Sequence, residues 1–406
     1  MPSPFDTLPA DDVLTKSFFH KVLVFFNHPA GWPDWMVTGL TLVLAGISGL
    51  WWWFFYRDPG IAIGVAAVQA LFFLTDRLIL RQLPVRNISF GPWKGQILAL
   101  MVPRLGATLI LGIGGLWLDQ PVAVWLMLAV QAVGTIALIR GTLIEPRHLT
   151  FTNLATTTDR MAMNLDPIRI LHITDLHIER LSLREHRLME LVLESKPDLI
   201  IITGDYVNLS FNQDPITYEQ VRAFLSGLSA PYGVFAVLGS PPVDLHDSIP
   251  DLFQDLPVSL LRNEIVEVDL AAGRCLTLVG MDCHHDIERD ATTFERLIST
   301  ITDANPILLL YHSPELMPQA VSHGIDLYAC GHTHGGQVRL PLIGPIVTSS
   351  RLGRRYVMGH YHEGRTHLYV SRGIGFEGLG APRVRLLCPP EVTLITMRPE
   401  PTSKAG

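Results

Sequence analysis

The chain has 406 residues, 48% of them hydrophobic and only 17% charged, with a mean hydropathy of +0.29, which is too apolar for a soluble globule of this length, so part of it belongs in a membrane. The first 150 residues hold 10 Lys+Arg and 8 Asp+Glu while the remaining 256 hold 21 and 30, so a sparsely charged first part precedes an acidic, soluble second part. The net charge of -7 and the lack of any long Lys/Arg run argue against a nucleic-acid partner, which needs a basic footprint, and the apolar content argues against disorder.

Residues 1–33 read as an N-terminal segment. The opening MPSPFDTLPADD is acidic, without the charged n-region and cleavage site of a removable signal peptide. Val13 to Phe26 mixes Phe and Val with Lys16, His20 and Lys21, the pattern of a helix lying along a membrane surface. Residues 34–140 form the membrane region, with four apolar stretches: Met36 to Tyr56, Ile61 to Leu80, Ile97 to Leu118 and Val122 to Ile139. At about 1.5 Å of rise per residue, each comes near the roughly 30 Å of a hydrocarbon core. All eight tryptophans precede residue 126, as expected of anchors at the two lipid boundaries. Asp76-Arg77 is expected to end the second stretch, and Pro103-Arg104 to sit near an interface where the Arg can snorkel.

Positive charge marks the cytoplasmic side. Arg77, Arg81, Arg86 and Lys94 lie between the second and third stretches, whereas Asp119-Gln120, between the third and fourth, carries no positive charge. The expected protein is therefore a multi-pass component of the cell inner membrane with its soluble part in the cytoplasm. Residues 141–164 are taken as a linker. The four cysteines, all in the second part and without a CxxC pair, read as reduced thiols.

From about residue 165 the pattern changes to short apolar runs, each ending in a polar cluster: Ile168 to Ile173, Leu199 to Ile202, Val234 to Leu238, Ile307 to Leu310 and Leu327 to Cys330. Leu183 to Leu193 and Tyr218 to Leu228 have helical spacing. Strand, helix, strand implies βαβ units and an α/β fold, in which ligands collect beyond the carboxyl ends of the strands. Four of the polar clusters at those ends carry ligand-type side chains. Asp175-Leu-His177 succeeds the first run, Gly204-Asp205 the second, His312-Ser-Pro-Glu315 the fourth and Gly331-His332-Thr-His334-Gly-Gly-Gln337 the fifth. In an extended chain, residues two apart share a side, so Asp175 with His177, and His332 with His334, are expected to face one ion together. A mixture of carboxylates and imidazoles suits divalent ions of the Mn, Fe or Zn class rather than Mg or Ca.

These clusters, with the later Ser371-Arg-Gly-Ile-Gly375, resemble the calcineurin-like metallophosphoesterase superfamily, in particular its bacterial branch with membrane segments ahead of the catalytic domain. The resemblance spans residues 165–398, leaving 399–406 as a tail. It implies a four-layer αββα sandwich preceded by about four transmembrane helices, and two divalent metal ions. One would be held by Asp175, His177 and His334 and the other by His312 and His332, with Asp205 bridging. It further implies hydrolysis of a phosphodiester or pyrophosphate by a metal-activated water. Attachment to the bilayer favours a phosphorylated, lipid-linked substrate.

The third cluster departs from the family. Where the family carries Gly-Asn-His-Asp/Glu, supplying a ligand and a catalytic imidazole, this chain reads Gly239-Ser240-Pro241-Pro242-Val243-Asp244. Pro241 has no ionisable group and cannot act as a general acid. Ser240 offers only a weak, neutral ligand, and Asp244, His246 and Asp247 are the nearby side chains that could fold back as substitutes. The departure opens a second reading, a metal-binding pseudoenzyme or regulatory membrane protein.

Overall fold

A computed structural model describes residues 18–161, 166–270, 274–302 and 305–400. The chain divides into two compact units. One comprises residues 18–144 with 377–384; the other holds the described residues of 145–376 and 385–400.

The first unit is helical: α1 (Phe18–Asn27), α2 (Asp34–Tyr56), α3 (Pro59–Val85), α4 (Trp93–Ile113) and α5 (Gln120–Ile139). Helices α2 to α5 are each long and apolar enough to cross a membrane, and Leu42, Leu50, Phe54, Ile63, Leu71, Leu78, Ile110, Trp125, Val133 and Ile136 remain exposed on them. Leu23 of α1 is buried, while residues 13–17 of the surface helix read from the sequence lie outside the described residues.

Two expectations about this unit are corrected. Asp76-Arg77 does not end the second helix, because α3 continues to Val85. Arg104 does not snorkel; it is 7% exposed and grips the fully buried Asp76 through two bonds of 2.6 Å from Nε and Nη2. Its remaining donors go to the Gln131 carbonyl and side chain and to Thr135 Oγ1, each at 2.9 Å. Gln131 in turn donates to Thr108, and Thr108 to Gln69. Among apolar helices a lone charge is costly, but a paired and fully hydrogen-bonded one is tolerated. Each charge makes the other possible, so neither needs an interface.

The second unit contains β1 (Thr150–Thr158), β2 (Ile168–Ile173), α6 (Leu183–Ser195), β3 (Leu199–Thr203), α7 (Pro215–Ser226), β4 (Val234–Val237), β5 (Ser259–Leu260), β6 (Glu264–Leu270) and β7 (Arg274–Gly280). Next come α8 (Ile287–Ile298), β8 (Ile307–Leu310), α9 (Met317–Ser322), β9 (Leu327–Cys330), the small hairpin β10 (Arg339–Leu340) and β11 (Gly344–Pro345), then β12 (Gly359–Glu363), β13 (Thr366–Val370) and β14 (Glu391–Pro399). One six-stranded sheet runs β1-β14-β2-β3-β4-β5 and another β12-β13-β9-β8-β7-β6.

Period-2 alternation sorts every strand between two faces. Leu171, Ile173, Ile200 and Ile202 pack on Leu188, Val192, Val221 and Leu225 of α6 and α7. The alternate residues Ile170, Leu199, Ile201 and Val237 meet Leu276, Leu278, Leu308, Leu310 and Ala329 of the other sheet. That sheet's far face, with Val279, Leu309 and Tyr328, packs on Phe294 of α8 and on Met317 and Ala320 of α9. The result is the four-layer αββα sandwich expected from the resemblance.

The linker reading of 141–164 is also corrected. Residues 150–158 form β1, an edge strand paired in parallel with β14 from Thr150↔Glu391 to Thr158↔Pro399. Its sequence, TFTNLATTT, is dominated by Thr and Asn, so no apolar run announces it, and its partner lies some 240 residues further along.

Candidate metal centre

The carboxyl ends of strands from both sheets converge. Asp175 and His177 follow β2, Asp205 follows β3, Ser240 follows β4, His312 follows β8, and His332 and His334 follow β9. All of these side chains are buried. The connecting turns are tight rather than extended: Asp175, His177, Asp205, His332 and His334 all have left-handed φ, between 41° and 68°. Non-glycine residues rarely adopt such φ and cluster where the fold over-determines them. The paired facing of Asp175 with His177 therefore arises from turns, not from an extended chain. His332 and His334, expected on one side, turn to different neighbours.

Asp175, His177, Asp205 and His334 form one group, each offering an atom within 4.8 Å of the others. His177 Nε2 lies 3.4 Å from Asp205 Oδ2 and 3.0 Å from His334 Nε2, and His334 Nε2 lies 3.7 Å from Asp175 Oδ1. Asp175 Oδ1 accepts from the His332 backbone N–H at 2.9 Å, but its Oδ2 is buried without a hydrogen-bond partner. Burial, and the nearby Asp205, push Asp175 up to about 7. Burial lowers His177 to about 4, and it lowers His334 well below the usual imidazole range with the help of the Arg385 guanidinium. An orphaned buried carboxylate oxygen beside two uncharged imidazoles is a donor set suited to a divalent cation.

The second group gathers around His312. Its Nδ1 lies 2.7 Å from the Thr203 carbonyl, and its Nε2 lies 3.3 Å from Asp205 Oδ2 and 3.2 Å from Ser240 Oγ. Burial opposes charge on His312, but the Asp205 carboxylate outweighs it and lifts this imidazole to about 9. His332 packs against it at 5.2 Å between ring centroids, with Nε2 on the Ser349 carbonyl. Burial lowers His332 to about 3.

The side chains considered as substitutes lie elsewhere. Asp244 is buried, with Oδ2 accepting from the backbone N–H of Asp205 and Gly239 and Oδ1 from that of Tyr206. It is occupied in holding the turns that carry Asp205 and Ser240. His246 joins Asp282 and His284 in a separate, partly exposed group. Ser240 stays in the centre, and its backbone N–H donates to Asp205 Oδ1 at 2.8 Å. His285, outside the sequence clusters named above, also enters the centre: its ring lies 4.4 Å from that of His332, and its Nε2 lies 3.1 Å from Ser240 Oγ. The available signal was its place after the apolar run Leu276 to Val279, which lies within β7. Arg372 pairs with Glu391 at 3.1 Å.

The sequence model of the calcineurin-like phosphoesterases matches residues 168–336, the stretch that contains all of these strand ends up to β9. An uncharacterized metallophosphoesterase of Bacillus subtilis, YkuE, is 30% identical over 267 residues, covering 63% of this chain and 87% of that protein. The phosphodiesterase YaeI of Escherichia coli is 31% identical over 240 residues, 58% of this chain and 83% of its own. The UDP-2,3-diacylglucosamine pyrophosphatase LpxG of Chlamydia trachomatis is 25% identical over 311 residues, 64% and 92% respectively.

Proposed function

The chain belongs to the calcineurin-like phosphoesterases, hydrolases of phosphoester bonds, and from this we propose that it is a membrane-anchored, two-metal phosphodiesterase or pyrophosphatase. The carrying observation is the buried group of Asp175, His177, Asp205 and His334, with its unpartnered Asp175 Oδ2. Asp175, His177 and His334 would hold one ion, His312 and His332 the other, and Asp205 both. Bound there, two divalent ions supply an activated water and positive charge opposite the phosphoryl oxygens.

The protein's own groups prepare this arrangement. The Thr203 carbonyl accepts a hydrogen bond from Nδ1–H of His312 and so leaves Nε2 facing Asp205; the Ser349 carbonyl accepts likewise from Nε2–H of His332. Such partners fix ring orientation and tautomer. Asp244 holds the Asp205 and Gly239 turns at fixed spacing through three backbone bonds.

The membrane region is assigned to 34–140 and the catalytic domain to 165–398 together with β1. Asp34 at the start of α2 pairs with Arg77, Arg81 and Lys94 at 3.0, 2.6 and 2.7 Å. This gathers the basic end of α3 and the starts of α2 and α4 on one side, and the positive charge collected there supports reading that side as the cytoplasmic face of the inner membrane. A lipid-linked phosphodiester or pyrophosphate at the bilayer surface is the favoured substrate, and the activities for which YaeI and LpxG are named support that class.

The test uses the full chain purified in detergent. Release of p-nitrophenol from bis(p-nitrophenyl) phosphate with Mn²⁺ is expected, and Asp205→Asn should abolish it; turnover indifferent to that change defeats the assignment. Pro241, in place of the family's imidazole, favours one rival, a metal-binding chain without turnover. Loss of a general acid costs about 10²- to 10⁴-fold, least where the leaving group is good. The reading therefore expects chromogenic diesters to be cleaved faster than lipid diesters with alkoxide leaving groups, and metal uptake with no turnover on either establishes the rival.

A further inference from the structure

Between β7 and α8, His285 is 2% exposed and shares the left-handed φ, 55°, of the five candidate ligands described above. We propose that His285 is a fourth ligand at the His312–His332 position, standing where the family places the amide of its third motif, and that Glu315 orients it. This rests on the two-metal reading and explains how the site keeps its second position despite Ser240-Pro241.

Glu315, 3% exposed, uses Oε1 to accept the Arg351 N–H at 2.7 Å, while its Oε2 has no hydrogen-bond partner and lies 3.9 Å from His285 Nδ1. A buried carboxylate facing one ring nitrogen places the proton on that nitrogen and leaves the other with a lone pair, the arrangement that orients metal-bound histidines. That other nitrogen, Nε2, points to Ser240 Oγ at 3.1 Å. The same hydroxyl lies 3.2 Å from His312 Nε2. His312 bonds Thr203 through Nδ1 and His332 bonds Ser349 through Nε2, so each keeps its other ring nitrogen for a cation that displaces any proton there. His285 Nε2 and His312 Nε2 thus converge on one hydroxyl, and the Cys283 thiol, 3.5 Å from His285 Nε2, is only a weak donor. A cation in this position would engage both nitrogens.

The set His285, His312, His332 and Asp205 has three nitrogens and one carboxylate, the composition of tetrahedral zinc sites, whereas an amide oxygen is a harder ligand. The second position should therefore prefer Zn²⁺ over Mn²⁺.

The test is metal stoichiometry by elemental analysis of the full chain in detergent, stripped and reloaded with Zn²⁺, Mn²⁺ or Co²⁺. Absorption of the Co²⁺-loaded protein reports on the ligand field. The unaltered protein is expected to hold two equivalents and His285→Ala one. Glu315→Gln should weaken the second equivalent about 10- to 100-fold. His285→Gln, which keeps a polar side chain of similar reach, should retain the second equivalent but lose the Zn²⁺ preference and shift the Co²⁺ spectrum. Two equivalents with unchanged affinity and spectrum in both His285 variants would overturn the assignment of His285 and leave the two-metal reading standing. Failure of the unaltered protein to take up any metal would remove both.

Discussion

Gly331 precedes His332, and its missing side chain is a structural requirement. A Cβ there would lie 2.1 Å from Asp175 Oδ2 and 2.4 Å from Thr174 Oγ1, nearly an ångström inside the 3.0 Å that real Cβ atoms essentially never breach. Neither neighbour can retreat cheaply. Asp175 Oδ1 is tied to the His332 N–H at 2.9 Å, and behind the side chain Gly373 packs so closely that its own Cβ would stand 2.5 Å from Asp175 Cβ. The φ of Gly331 is not in the left-handed region, so Gly331→Ala adds a steric clash without backbone strain. Overpacking of this kind costs about 1–3 kcal/mol of stability. Displacing Asp175 by about an ångström from His177, Asp205 and His334 should cost on the order of 10²-fold in kcat/KM. Thermal unfolding, bound metal and hydrolysis of the chromogenic diester measure the three consequences. Should Gly331→Ala fold as stably and hydrolyse as fast as the unaltered protein, the inference that Asp175 must sit where the geometry puts it is wrong.

Removing one partner of the buried pair in the helical unit strands the other, so Asp76→Ala or Arg104→Ala should destabilise it by about 3–5 kcal/mol, while replacing both with Leu should recover most of the loss in detergent unfolding assays. A third prediction concerns pH. Asp175, raised to about 7, and His312, raised to about 9, must both lose protons to ligate. Metal affinity should rise through pH 7 and level off above 9, with proton release seen by calorimetry in buffers of different ionisation enthalpy; affinity flat between pH 6 and 9 would contradict it. For the metal-free protein the sign is opposite. His312 is raised, so the stabilisation from its pairing with Asp205 is complete below its unfolded value of 6.5 and is lost as pH rises through about 9. Asp175 is also raised, but as an acid it adds a penalty that grows from pH 3.8 to about 7. The metal-free protein should therefore melt lower at pH 9 than at pH 6, and the loaded protein should lose less or gain. Finally, Asp244→Ala leaves the buried N–H groups of Asp205, Tyr206 and Gly239 unpaired, and a loss of at least about 3 kcal/mol is expected in denaturant titration.

The strand runs and their terminal clusters could be read from sequence because their signals are local. An apolar run such as Ile168–Ile173 or Leu327–Cys330 is buried on both faces, and the polar residues directly after it must lie at the sheet's carboxyl edge. The four long helices announced themselves in the same way, since a predominantly apolar stretch of some twenty residues suits a bilayer. Three features depended on partners distant in the chain. The Thr-rich β1 is a strand only because β14 supplies its hydrogen bonds. Arg104 looked interfacial in isolation and becomes a buried residue only when Asp76 of α3 answers its charge. His285 was one loop histidine among several until folding set it between Ser240, His332 and Glu315. Residue type and periodicity determine what each segment can bury, whereas charge pairing, left-handed turns and the sharing of lone pairs are properties of groups meeting in space, and only the tertiary structure brings those groups together.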